Sequence, residues 1–161
     1  MRRIHLFQAM LTLAGFACGG AITPAFAAPT VIELTQVGCQ FLEAENGVDH
    51  GYKPASADDC VKINNETGAQ RLAGAEPLKL MPGKYIFRVA NKNVPYELGF
   101  WLREQDYELG NPLHKLTKTS VSGGGLTTGK VQDYEVELEA GKSYYFSCPL
   151  NPTPNYTLIV K

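Results

Sequence analysis

The side chains best suited to chemistry in this sequence are a few cysteines and histidines. Beyond residue 27 the chain contains three cysteines, Cys39, Cys60 and Cys148, and two histidines, His50 and His114. Thiolates and imidazoles ligate soft metals such as copper, and a reactive thiol can exchange with a disulfide. The sequence has no Cys-x-x-Cys pair, no zinc-ligand spacing and no Ser/His/Asp order, so it does not predict an enzyme.

Cys148 has three interpretations. Side chains alternate between the two faces of a strand, so Cys148 shares a face with Tyr144 and Phe146. Because free cysteines are among the most buried residues, this position predicts an inert thiol. It could instead ligate a metal. A redox thiol is disfavoured because no second cysteine stands at the usual redox spacing.

A polar segment separates the first two cysteines from the rest of the chain. Residues 44–75 are rich in Gly, Asn, Asp and Ala, and we predict a long irregular segment with at most a short helical turn. A segment of this length needs something to hold it. A Cys39–Cys60 disulfide would close a loop of about twenty residues and contribute ~3 kcal/mol in the chain-entropy model. We predict this pair, although three cysteines permit three single bridges.

The first 27 residues have the pattern of a secretory signal peptide. Arg2 and Arg3 precede an apolar run, and Ala25-Phe26-Ala27 supplies small residues before a cleavage point after Ala27. The short leader is typical of bacteria, so we expect a periplasmic or secreted protein consisting of residues 28–161. That compartment permits disulfides. No transmembrane segment is expected once the leader is removed.

The charge balance limits the classes of partner. Fifteen Lys and Arg residues oppose sixteen Asp and Glu residues, and 44% of the chain is hydrophobic. These values exclude a disordered tail protein and favour a packed domain. The sequence contains no run of basic residues that would predict nucleic-acid binding. The expected partner is therefore an unidentified protein in the periplasm.

The remaining sequence predicts an all-β domain. Alternating apolar and polar residues, separated by Pro-Gly, Asn-rich and Ala-Gly turns, predict strands near residues 31–37, 84–90, 96–103, 134–139, 142–148 and 156–160. We predict that residues 110–129 are rich in loops, because Gly123-Gly124-Gly125 is too flexible for regular structure. Phe100 and Trp101 must face opposite sides of one strand, and we expect the 44–75 segment to cover whichever lies outside.

Two strand-turn-strand segments carry a family resemblance. The first runs through Pro82-Gly83 to Pro95-Tyr96-Glu97, and the second through Tyr144-Tyr145-Phe146-Ser147-Cys148 into a closing strand. Together, over residues 76–161, they resemble the cupredoxins, and especially their exported single-domain bacterial members. The resemblance implies a cupredoxin-like Greek-key β-sandwich. The N-terminal segment is then a long insertion, pinned by the predicted disulfide.

The resemblance also implies where a copper site would lie. The family binds type 1 copper through two imidazoles, a thiolate and usually an axial methionine. Cys148 stands at the thiolate position, but Tyr96 replaces the first histidine and neither His nor Met follows Cys148. We therefore expect a degenerate copper site in a non-enzymatic binding or accessory protein without a cofactor. The alternative is a copper-binding or electron-transfer protein that uses Cys148 with Tyr96 and His114, or with His50 or Met81.

Overall fold

Two β-sheets form the framework of the molecule. The structure, a computed structural model, describes residues 28–161, and the predicted signal peptide lies outside the described residues. Within residues 28–161 the strands are β1 (Thr30–Val37), β2 (Gln40–Phe41), β3 (Leu78–Leu80), β4 (Gly83–Asn91), β5 (Leu98–Glu104), β6 (Ser120–Leu126), β7 (Val131–Leu138), β8 (Ser143–Ser147) and β9 (Tyr156–Val160).

The strand order confirms the predicted sandwich. The first sheet has the order β2-β1-β4-β7 and the second has the order β3-β9-β8-β5-β6. Neighbouring strands are antiparallel except for β1 with β4 and β3 with β9, which are parallel. The chain passes from one sheet to the other five times: after β2, β3, β4, β6 and β7. The two sheets enclose a common core.

Alternation along the strands builds that core. In β4, Tyr85, Phe87 and Val89 are buried and the residues between them are only partly buried. In β7, Tyr134 and Leu138 are buried between exposed acidic residues, and Tyr134 stands opposite Phe87 in the register. Because successive side chains of a strand point to opposite faces, this pattern directs one apolar face of each sheet inward. Phenylalanines of both sheets meet between them: Phe41, Phe87, Phe100 and Phe146.

The 44–75 segment differs most from its prediction. It contains an 18-residue helix, α1 (Ala57–Gly74), rather than a short helical turn. The Asp59 carboxylate accepts the N–H of Ser56 at 3.1 Å, and this bond caps the first turn. The Ser-x-x-Asp spacing was the sequence signal for this helix start.

The sequence analysis did not predict helix α1 because the helix has no apolar stripe. Its buried residues are Cys60, Gly68 and Arg71, a cysteine, a glycine and a cation. Periodicity reveals helices that bury a continuous apolar face, and this helix is instead attached at separate points. Neither α1 nor the short helix α2 (His114–Thr117) is long and apolar enough to cross a bilayer.

The glycine triplet does not form the predicted flexible loop. It lies within β6, where Gly123 stands opposite Phe100 of β5. A Cβ on Gly123 would lie 3.0 Å from the Tyr134 ring, and a Cβ on Gly99 would lie 2.6 Å from the Gly123 carbonyl oxygen. Glycine is therefore needed because the chains approach closely here, and pairing with β5 outweighs its low strand propensity.

Phe100 lies in the core and Trp101 on the outer face of the second sheet, on opposite sides as alternation predicted, but the 44–75 segment does not cover Trp101. The Arg103 guanidinium lies 3.9 Å from the centre of the Trp101 ring system, and Tyr107 makes an edge contact. The indole N–H donates to Ser120 Oγ at 3.0 Å. The cover is thus supplied locally, by the same strand and the segment that follows it.

Candidate functional site

Cys148 lies directly after β8, with its thiol buried at one end of the core. Its Sγ accepts the backbone N–H of Gly99 at 3.4 Å and that of Asn151 at 3.2 Å. Burial raises the pKa of Cys148 above its ordinary value, and these N–H groups offset the shift only in part. At physiological pH the group is a neutral thiol, in agreement with the prediction of a buried cysteine.

Tyr96 and Asn151 meet beside this thiol. The Tyr96 hydroxyl lies 3.1 Å from Asn151 Oδ1 and 3.3 Å from the carbonyl oxygen of Ser56, so its proton has two acceptors. Burial raises the pKa of Tyr96 to about 12, and the nearby Cys148 adds to the shift. The phenol is therefore neutral and acts as a hydrogen-bond donor.

The Asn151 side chain connects this end of the sandwich to the N-terminal segment. It is fully buried, with Oδ1 accepting the N–H of Cys39 at 3.1 Å and Nδ2 donating to the carbonyl oxygen of Val37 at 3.0 Å. Both of its polar atoms are therefore satisfied by backbone groups of the N-terminal segment.

The predicted disulfide packs against the same amide. Cys39 and Cys60 are bonded to each other, 21 residues apart in sequence, which confirms the predicted pair. The Cys60 sulfur lies 3.0 Å from Asn151 Oδ1 and 3.7 Å from the Tyr96 hydroxyl. The bridge therefore joins α1 to the end of the first sheet beside the point where Tyr96 and Asn151 meet.

A second polar cluster holds the other half of α1. Arg71 Nη2 donates to Glu45 Oε1 at 2.7 Å, and the Tyr156 hydroxyl donates to the same oxygen. Burial disfavours the charged form of Glu45, but the hydrogen bonds from Arg71 and Tyr156 outweigh it and hold the pKa of Glu45 below its usual value. Arg71 Nη2 also donates to the carbonyl oxygen of Cys39 at 3.0 Å, so the cluster anchors α1 to the sandwich.

The hydrogen bonds of the two histidines lie away from the thiol. His114 Nδ1 accepts the N–H of Glu108 at 2.9 Å, so this nitrogen is engaged within its own loop. His50 Nε2 lies 2.7 Å from the Glu45 carboxylate. Met81 is exposed beside its turn. Of the predicted metal ligands, the structure thus brings together Cys148 and Tyr96.

The comparisons with known proteins concern the fold. No protein-family model matches this sequence, and no curated protein matches it. Among solved structures, auracyanin B, a cupredoxin, is similar with a TM-score of 0.51 over 84% of this chain and 92% of its own chain, at 11% sequence identity. The fold is cupredoxin-like. This confirms the predicted fold class, and the similarity concerns architecture alone.

Tyr96 and Asn151 thus lie beside Cys148 at one end of this cupredoxin-like fold. Asn151 is the third residue after Cys148 and is absent from the sequence-based predictions. The Tyr96 phenol and the Asn151 amide hydrogen-bond to each other.

These residues do not fit a type 1 copper ion. Such a site needs a thiolate and two imidazole nitrogens with open lone pairs. Here Cys148 is a neutral thiol, Tyr96 donates a proton, and Asn151 is saturated by backbone partners. Buried Gln36 donates to the carbonyl oxygen of Gly99 at 2.8 Å and leaves its Oε1 unpartnered in the described chain, but one amide oxygen does not supply the missing nitrogen ligands. Across residues 28–161 no group of three His, Cys, Asp or Glu side chains is placed to hold a metal.

Proposed function

We propose that this chain is an exported, cupredoxin-like binding or accessory protein that does not use type 1 copper. The observation that supports the proposal is the hydrogen bond between Tyr96 and Asn151. The resemblance implies that a copper-binding member would carry one imidazole at position 96 and another at position 151, the third residue after the cysteine in a Cys-Pro-Gly-His segment. Here both side chains are satisfied by hydrogen bonding instead. The disulfide and α1 are attached at the same end of the sandwich. In this proposal the end of the sandwich that carries Cys148, Tyr96 and Asn151 attaches the N-terminal segment to the sheets. The protein acts through its surfaces, without catalysis, on a periplasmic protein partner.

The alternative is a copper-binding or electron-transfer protein with a non-standard site at Cys148, Tyr96 and His114. The cupredoxin-like fold favours it, since that architecture hosts copper proteins. Two observations weigh against it. His114 Nδ1 already accepts the N–H of Glu108, and Cys148 would have to lose a proton in a buried position that favours the neutral form.

A copper titration separates the two functions. Residues 28–161 contain both sheets, the core and the disulfide, and this domain would be titrated with Cu²⁺ and followed by visible absorption and native mass spectrometry. The proposal expects no stoichiometric binding and no sulfur-to-copper charge-transfer band. A visible band that disappears in Cys148→Ala would overturn the proposal and support the alternative.

A variant with restored imidazoles supplies the positive control. In Tyr96→His/Asn151→His, the two ligand positions regain nitrogen donors next to Cys148. We expect this variant to show a Cys148-dependent band under conditions in which the parent protein shows none. The control demonstrates that the assay detects a copper–thiolate site in this fold.

Export is tested separately. We infer from the leader that the protein is secreted and processed, so expression of the full chain in a bacterium should yield a periplasmic product whose first residue is Ala28. Recovery of the intact chain from the membrane fraction would contradict cleavage after Ala27.

A further inference from the structure

The second sheet has an open edge at β6. This strand is last in its sheet and pairs only with β5 within residues 28–161. None of Ser120, Val121 and Ser122 has a backbone hydrogen bond outside that pairing in the described part of the chain. Edge strands are usually protected by charged side chains or proline, and β6 contains neither. Its unpaired backbone groups can therefore accept another strand.

An apolar groove lies on the outer face beside this edge. It has a volume of about 450 Å³, and its walls include Trp101, Tyr107, Leu109 and Leu150. Leu109 and Leu150 are 67% and 42% exposed, which is high for leucine. The residues of β6 on this face are serines and a glycine, so the groove continues to the open edge without a barrier.

A second cleft lies between the start of β6 and the end of β7. It has a volume of about 840 Å³, and its lining includes Val121 and the solvent-facing residues Glu135, Glu137 and Glu139. None of the three glutamates forms an ion pair in the part of the chain that the structure describes. Lys118 also borders the cleft, but Asp106 and Glu104 neutralise it. The cleft therefore favours a cationic ligand.

We propose that the β6 edge binds an extended polypeptide segment in which apolar and basic residues alternate. The inference rests on the proposed function as a binding protein and names the class of its partner. An added strand hydrogen-bonds through its backbone, and its successive side chains point to opposite faces of the sheet. One set enters the groove at Trp101, and the other set enters the cleft, where long basic side chains reach its rim at Glu135 and Glu137.

A short synthetic peptide tests this arrangement directly. The probe is a blocked heptapeptide in which lysine alternates with valine and phenylalanine, added to residues 28–161. Trp101 is the only tryptophan of the chain and lines the groove, so its fluorescence reports binding. We expect a saturable change with one peptide bound per protein. We also expect the affinity to fall by roughly tenfold or more when salt is raised to about 0.5 M, because the carboxylates are exposed.

Three comparisons distinguish strand addition from non-specific attraction. A peptide N-methylated on alternate amides should not bind, because the ladder cannot form. The same peptide with glutamate in place of lysine should bind at least about tenfold more weakly. Glu135→Gln/Glu137→Gln should weaken binding of the lysine peptide, whereas Glu33→Gln/Glu66→Gln, which removes two exposed glutamates outside the cleft, should not.

Filling the groove supplies a further variant that should remain folded. A Cβ on Gly124 would lie 3.0 Å from the flexible Glu97 carboxylate and 3.7 Å from Leu150, so Gly124→Leu places its side chain in the groove without meeting backbone. We expect it to abolish the fluorescence change and to keep the parent circular dichroism spectrum.

Several results would overturn the inference. They are the lack of a saturable change at about 1 mM peptide, equal binding of the N-methylated or acidic peptide, and a protein dimer without peptide that Gly124→Leu dissociates. The last result would assign the edge to a second copy of the chain. A copper-dependent band would overturn the proposed function whatever the peptide does, so the two failures are distinguishable.

Discussion

Replacement of Asn151 tests whether the joint between the sandwich and its N-terminal segment stabilises the protein. Asn151→Ala removes the acceptor of the Cys39 N–H and the donor to the Val37 carbonyl, at 3.1 and 3.0 Å. Both residues are almost completely buried, so water does not replace the lost partners. An unsatisfied buried backbone group costs about 1–3 kcal/mol, so the two together predict a loss of about 2–6 kcal/mol.

That loss is a large part of the expected free energy of unfolding, since domains of this size are stable by roughly 5–15 kcal/mol. The measurement is urea denaturation at neutral pH without reductant, so that the disulfide stays intact in both states. The midpoint should fall while the dependence on urea is unchanged, because the surface exposed on unfolding is the same.

A matched control lies in the same loop. Asn155 is exposed, and its side chain accepts a hydrogen bond from Arg103 at 2.9 Å. Asn155→Ala should therefore change stability by less than about 1 kcal/mol. If Asn151→Ala stays within about 1 kcal/mol of the parent protein, the buried hydrogen bonds do not hold the joint, and the reasoning about Asn151 is wrong.

Three further predictions concern the other polar groups. The pKa of Glu45 is lowered in the folded state, so its contribution to stability is complete above its usual value of 4.5 and is lost as the pH falls through the folded value. Glu45→Gln should therefore make stability, measured by thermal unfolding, depend less steeply on pH in the acid range. At neutral pH the same substitution should destabilise the protein by about 3–5 kcal/mol, because Arg71 loses its charged partner. The Cys148 thiol is buried and its pKa is raised, so iodoacetamide should alkylate it at least about a hundredfold more slowly in the native protein than in urea, as followed by mass spectrometry. Removing the disulfide with Cys39→Ala/Cys60→Ala should cost about 3 kcal/mol, measured by urea unfolding, because it releases the constraint on the unfolded chain.

Each of these predictions has an outcome that contradicts it. An acid limb in Glu45→Gln as steep as in the parent protein would show that another group controls acid unfolding. Comparable alkylation rates of native and unfolded Cys148 would show that the thiol is accessible. An unchanged unfolding midpoint after loss of the disulfide would mean that the remaining contacts of α1 hold the segment without it.

Strands with a clear alternating pattern were predictable because their pattern is local. Tyr134 and Leu138 of β7 are buried between exposed acidic residues, as the alternation indicates. The helix α1 was missed because its attachments, Cys60 and Arg71, do not form an apolar stripe. The strand β6 was missed because the glycines that disfavour a strand locally are required by the approach of Gly99 and the Tyr134 ring.

The candidate site also combines features that were predictable from sequence with features that were not. The sequence by itself determined which side chains are available: Cys148 is present, neither His nor Met follows it, and Tyr96 stands where the resemblance implies a histidine, so an incomplete ligand set was expected. It also indicated the Cys39–Cys60 pair from the length of the segment between them. Only the tertiary structure decided that Tyr96, Asn151 and the disulfide meet. The hydrogen bond from the Cys39 N–H to Asn151 joins residues 112 positions apart, and no local pattern encodes such a contact. It forms because two sheets, folded around one core, bring the start of the domain against the loop that follows Cys148.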